Sequence, residues 1–141
     1  MIIHIRSPDE SLGGSDLNSQ RSDKETRVRE KIGARLGKPL FKKRLELTPG
    51  LVHEFDFVSE DGTVVGEVKT SETNKQRPDS QNLRTAQLGD FCRDCLLLLA
   101  ARKASERIFV LTDKTVYERF LTTEYGKAAK MLGIDIQYVP V

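Results

Sequence analysis

Tryptophan is absent from this chain, and cysteine and histidine occur only twice each. Two cysteines cannot build the disulfide framework of a small secreted scaffold. A chain of 141 residues can bury an adequate core without one. Long apolar runs are also missing: none nears the roughly 20 residues that span a bilayer, which argues against a membrane partner. The start, Met1-Ile2-Ile3-His4, turns polar at once and offers no secretory h-region. An intracellular, cytoplasmic protein is therefore expected. Charge of one sign is lacking too. The formal net charge is +2, too weak by itself to indicate nucleic-acid binding, though it leaves room for local basic clusters. No internal repeat and no second domain is apparent.

The two cysteines, Cys92 and Cys95, have Cys-x-x-Cys spacing. A tetrahedral zinc site needs two further ligands, and His4 and His53 have no finger-like spacing. A redox pair would open a helix after a strand. This pair instead sits inside an apolar helix beside Leu96-Leu97-Leu98-Leu99, so both thiols are expected reduced and largely buried.

Residues 1–21, rich in Ser, Asp, Gly and Asn around Gly13-Gly14, read as a flexible arm, with a marginal edge strand over 1–5. A single domain is expected over 22–141. Its first helix covers 22–37: Ser22 is the N-cap, Glu25 completes a capping box, and Val28, Ile32 and Leu36 form the apolar stripe. Glu25 falls on that stripe and Glu30 opposite it. Gly37 ends the helix.

Strands are expected over 40–47, 52–58 and 64–70, with Thr48-Pro49-Gly50 as one turn and Asp61-Gly62 as a hairpin turn. A polar loop over 71–82 leads to a helix over 83–104, with Leu88, Phe91, Cys92, Cys95 and Leu99 as its buried face. A strand over 107–112, helices over 114–121 and 124–132, and a last strand over 134–139 complete the chain. Strands alternating with helices imply a parallel second half and a sheet covered on both faces.

The hairpin carries the chemistry. Alternation places Glu54 and Asp56 on one face, with Phe55 and Phe57 on the other. On the next strand Glu67 and Lys69 share a face. A two-residue Asp61-Gly62 turn sets Asp56 opposite Glu67, with Cβ atoms about 5 Å apart. Carboxylates that close repel unless a proton or a cation lies between them. Hard cations such as Mg²⁺ or Mn²⁺ prefer carboxylate, carbonyl and water oxygens. A bound ion of this kind supplies an activated water for attack on phosphorus, and a nearby lysine can stabilise the developing charge.

The runs His53-Glu54-Phe55-Asp56-Phe57 and Gly66-Glu67-Val68-Lys69-Thr70, behind a helix bearing Glu25, resemble the PD-(D/E)XK nuclease superfamily over roughly residues 22–112. The resemblance implies an α/β, restriction-endonuclease-like α-β-β-β-α-β core, a mixed sheet flanked by helices. It further implies that Asp56, Glu67 and the Val68 carbonyl bind Mg²⁺ or Mn²⁺. Lys69 would be the catalytic lysine, Glu25 the helix glutamate and a further ligand, and Gln87 a possible helix glutamine, with Gln81 nearby. No proline precedes Asp56, a position that varies in the family.

Lys42, Arg44, Lys75, Arg77 and Arg84 surround these residues in sequence and suit phosphate contact. Glu54 reads as a peripheral charge and His53 as structural. The expected function is a divalent-metal-dependent nuclease acting on nucleic acid, DNA before RNA. A homodimer is compatible with cutting both strands of a duplex. The alternatives are a catalytically inactive nuclease-fold module that binds nucleic acid or protein, and a redox protein using the cysteine pair.

Overall fold

A computed structural model of the chain describes residues 14–73 and 83–141. The strand expected over 1–5 lies outside these residues. Helix α1 spans Gly14–Leu36, starting eight residues before the expected start, so Ser22 lies within the helix. A capping box is a local signal. It does not stop a helix whose upstream residues, here including Gln20 and Arg21, are themselves good helix formers. Val28 and Ile32 are buried as expected. At its end the Lys38 N–H donates to Gly33 O at 3.0 Å while Gly37 takes φ +68°. Only glycine enters that left-handed region without a Cβ penalty.

Strands β1 (Leu40–Thr48), β2 (Leu51–Ser59) and β3 (Val64–Lys69) form an antiparallel meander. Helix α2 (Thr85–Ala100) then crosses to β4 (Glu106–Leu111). Helices α3 (Lys114–Thr122) and α4 (Glu124–Met131) cross to β5 (Ile134–Tyr138). The five strands lie in the order β1-β2-β3-β4-β5, and β3, β4 and β5 are parallel. This is an α/β fold with a mixed sheet. Both crossovers step the same way along the sheet, and a uniform crossover hand then puts their helices on one face. The core bears this out. Phe91, Cys95 and Leu98 of α2 join Phe109, Val116, Phe120 and Ala129 on that face. Val28 and Ile32 of α1 cover the other face with Phe57, Val64, Val68, Ile108 and Val110. Among the described residues no helix is long and apolar enough to cross a membrane.

Strand β2 departs from simple alternation. Its register against β1 runs from Phe41↔Val58 to Lys43↔Phe55, so β2 uses three steps where β1 uses two. The extra residue is a β-bulge opposite Lys42. It puts Phe55 in the α2-side core and Phe57 in the α1-side core, correcting the expectation that they share a face. The Asp61-Gly62 turn is also wider than two residues. Strands β2 and β3 end at Ser59 and Val64, and Gly62 N–H donates to Ser59 O at 2.9 Å. The register is nonetheless the expected one, with Phe57↔Gly66 and Val58↔Val65.

The buried face of α2 is Gln87, Phe91, Asp94, Cys95 and Leu98, turned from the expected face. Two polar residues lie on it, so hydrophobicity alone draws the face toward Leu88 and Leu99 at its flanks. Both cysteines are free: Cys95 is buried, its thiol pushed up to about 12 by burial, and Cys92 is half-buried. Such thiols are poor nucleophiles, which weakens the redox alternative.

Gly66 has no room for a side chain. A Cβ there would fall 1.9 Å from Phe57 Cζ, because the phenyl ring lies across the glycine. Gly66→Ala is expected to destabilise the fold by at least about 2 kcal/mol through overpacking. Urea denaturation would measure this, and an unchanged midpoint would show that the ring moves aside freely.

Candidate active site

The bulge determines where Asp56 points. The β2–β3 ladder has no pair beyond Phe57↔Gly66. In place of the next rung, the Val68 N–H donates to Asp56 Oδ2 at 2.7 Å. Asp56 therefore does not stand across from Glu67 as a ladder partner; its carboxylate lies between the strands. Arg29 of α1 fixes it from behind, its Nη1 donating to the Asp56 carbonyl at 3.2 Å. Arg29 was not singled out from the sequence.

Glu67 shares strand parity with Val65, which packs in the α2-side core, and it is 5 % exposed. Its Oε1 lies 3.0 Å from His53 Nε2. His53 in turn packs edge-on against Phe55, ring centroids 4.7 Å apart. His53 alternates away from Asp56 as expected, yet this carries it to Glu67, because the bulge leaves Glu67 on the His53 side. Lys69, two residues on, reaches toward α2, where its Nζ lies 2.7 Å from Asp94 Oδ2.

The helix over the Glu67–Lys69 face is thus α2, and α1 covers the opposite one. Glu25 reaches the site from the flank. It is half-buried, and Lys42 Nζ bridges it at 3.6 Å to Glu54 at 4.0 Å. Its charge still acts on both Asp56 and Glu67. Gln87 is buried, and its Nε2 has no hydrogen-bond partner among the described residues. Among the expected phosphate contacts, Arg44 and Arg84 are exposed, while Lys42 is engaged by the two glutamates. Lys75, Arg77 and Gln81 lie outside the described residues. Past β3 the chain is anchored by Asp113, which accepts from Thr73 N at 3.1 Å and Oγ1 at 2.9 Å.

Electrostatics separate the two acids. Burial pushes Asp56 up to about 6, against the opposing Val68 N–H, with Glu25 adding to the rise and Lys42 countering it. Burial pushes Glu67 up to about 9, and the charges of Asp56 and Asp94 push the same way. Burial also lowers His53. Near pH 7 both members of the His53–Glu67 contact are therefore neutral. The contact is a hydrogen bond between uncharged groups, not an ion pair. A carboxyl kept protonated by buried neighbouring acids is a place where a cation can replace the proton.

The donor set fits a hard divalent cation, with Asp56 and Glu67 carboxylates and the Val68 carbonyl as oxygen ligands. Among the described residues no group of three His, Cys, Asp or Glu side chains is already arranged to hold one. Asp56 and Glu67 would have to serve with main-chain and water oxygens. An open groove of about 390 Å³ lined by Leu45, Leu47, Val65 and Ala101 lies at the other end of β3 and includes none of these acids.

The sign of the pH dependence follows. Glu67 is raised in the fold above its unfolded value, so between about pH 6.5 and 8.5 the native state holds a proton that the unfolded chain has released. Metal-free stability is expected to fall as pH rises through this window, by up to about 1.4 kcal/mol per unit for one proton. Glu67→Gln cannot ionise and should flatten the slope. Melting in chelator at several pH values tests this, and equal slopes for both proteins would contradict the assignment.

Compared with protein-family models, with curated proteins and with solved structures, the chain matches none.

Proposed function

We propose that this chain is a divalent-metal-dependent nuclease that hydrolyses phosphodiester bonds in nucleic acid, with DNA as the preferred substrate. One observation carries the reading. Two carboxylates, Asp56 and Glu67, are drawn out of water beside Lys69 on one hairpin, where the Val68 N–H ties Asp56 to the strand of Glu67 and the Asp56 charge raises Glu67. Burying two carboxyl groups beside each other serves no packing purpose, and both can ionise there only with a counter-ion between them. The sequence resemblance to the PD-(D/E)XK superfamily gives the same assignment, and the α-β-β-β-α-β order of α1 to β4 is compatible with it.

In this reading Asp56, Glu67 and the Val68 carbonyl hold Mg²⁺ or Mn²⁺, which when bound supplies positive charge and an activated water. Asp56 keeps its place through the Val68 N–H, and Glu67 through His53. Lys69 stabilises negative charge developing on the attacked phosphate. Glu25 adds negative potential from the flank. Exposed Arg44 and Arg84 suit the phosphate backbone, as would Lys42 once released from its glutamates. A symmetric dimer would bring two such sites to a duplex.

The test is a Mn²⁺-dependent cleavage panel of single-stranded, double-stranded and branched DNA and of tRNA, with calorimetry on three variants. Asp56→Ala and Glu67→Ala are expected to abolish cleavage and Mn²⁺ binding; metal-free Glu67→Ala should be at least as stable as the parent near pH 8, whereas Asp56→Ala also strips the Val68 N–H of its acceptor and should lose stability. Lys69→Ala is expected to abolish cleavage yet bind Mn²⁺ much as the parent does. If Asp56→Ala binds Mn²⁺ at parental affinity and still cuts, the site is elsewhere. If the parent binds no divalent ion and cuts none of the substrates, the chain is a non-catalytic module.

A further inference from the structure

Asp94 is a carboxylate on the apolar face of a helix. It follows Phe91 and precedes Leu98 on the buried stripe of α2, and it is 3 % exposed. A leucine there would extend the stripe and bury apolar surface without any desolvated charge. The partners of Asp94 are few. Arg93 Nε lies 3.8 Å from Oδ1, and Lys69 Nζ lies 2.7 Å from Oδ2. The latter is a close ion pair without the alignment of a hydrogen bond, and among the described residues Oδ2 has no hydrogen-bond partner. A buried charge with so little compensation weakens the fold, so its presence calls for a reason other than stability.

Lys69 supplies that reason. A lysine carries its charge on a flexible four-carbon stem and has to be held if it is to meet one phosphate oxygen. Side chains that act on a reacting centre need placing to within about 0.5 Å. Asp94 comes from a different element than the strand bearing Lys69, and α2 is pinned by the Phe91–Phe109 and Phe91–Phe120 ring contacts. Its carboxylate is therefore a fixed post. An ammonium has three N–H groups, and an ion pair with one carboxylate oxygen does not occupy them all. Lys69 is 23 % exposed by side chain, so the others can face substrate.

We propose that Asp94 is the positioning residue of Lys69, fixing where its ammonium stands relative to the Asp56–Glu67 pair. This rests on the nuclease reading for its consequence in catalysis but not for the contact itself. The test therefore has two arms. In the first, metal-free and substrate-free protein is treated with an amine-acylating reagent, and Lys69 modification is followed by peptide mass spectrometry. Asp94→Asn is expected to raise the modification rate of Lys69 several-fold and leave other lysines unchanged. An unchanged Lys69 rate would overturn the proposal. This arm reads out whether or not the protein cuts nucleic acid, so failure of the nuclease reading is seen separately, as absence of cleavage by the parent.

In the second arm, Asp94→Asn is expected to lower kcat about 100-fold, the scale of a misplacement near 1 Å, with KM unchanged and Mn²⁺ affinity within a few-fold of the parent's, since the lost charge acts on Glu67 only at a distance. Asp94→Glu keeps the charge and should retain more activity than Asn. A parallel loss of Mn²⁺ affinity in Asp94→Asn would make Asp94 a cation ligand and overturn the positioning role. Should the Asn variant not fold, Asp94→Glu carries the kinetic arm: kcat should fall with Mn²⁺ affinity intact, and parental kcat would overturn the proposal.

Discussion

The carboxylate of Asp56 takes the place of a main-chain rung. Where β2 and β3 stop pairing, the Val68 N–H would otherwise be a buried donor without an acceptor. Asp56 Oδ2 fills that need, and in doing so ties the acid to the strand that carries Glu67 and Lys69. The bulge opposite Lys42 makes this reach possible. Arg29, holding the Asp56 carbonyl, keeps the bulge in place from the other face of the sheet. Backbone satisfaction and site geometry are thus one arrangement, and neither can be altered alone.

Two acids a residue apart in effective register meet different fates, and the physical causes can be ranked. Burial dominates for both. For Asp56 it is opposed by the Val68 N–H and the Lys42 charge, and the group settles at about 6. Glu67 has Lys69 in opposition, but the charges of Asp56, Asp94 and Glu25 act with burial, so it rises to about 9. Lys69 helps little because Asp94 faces its ammonium at 2.7 Å. The environment therefore keeps one acid near its ionisation point and the other neutral. That division is typical of sites built to exchange protons for a cation or a substrate.

Much of this was legible in the strands. Alternation, the Asp-Gly turn and the Gly66-Glu67-Val68-Lys69 run were enough to place β2 and β3 in register and to bring Asp56, Glu67 and Lys69 together. The helix stop at Gly37 and the parallel second half also follow from local chemistry. The bulge was not legible, because an inserted residue leaves no mark in hydropathy. Carrying the alternation through it misplaced Phe57 and hid the meeting of His53 with Glu67. The start of α1 was missed because a good internal capping signal outweighed the polar residues before it. Asp94 and Arg29 act across elements. The only trace of Asp94 was its helical spacing with Gln87, Phe91 and Leu98, and its polarity argued against that face.

The Phe57 ring lying across Gly66 has a consequence for strand alignment. A hairpin whose faces are both buried has little in its hydropathy to forbid slipping by a residue or two. Here the ring acts as a key that admits a single lock. In any shifted alignment, Val65, Glu67 or Val68 would come beneath the phenyl group, and each carries the Cβ for which there is no space. The aromatic side chain and the bare glycine therefore fix the alignment sterically, from beside the site rather than from the turn. Length changes in the Glu60–Thr63 connection can then be absorbed at the tip without moving Asp56 relative to Val68.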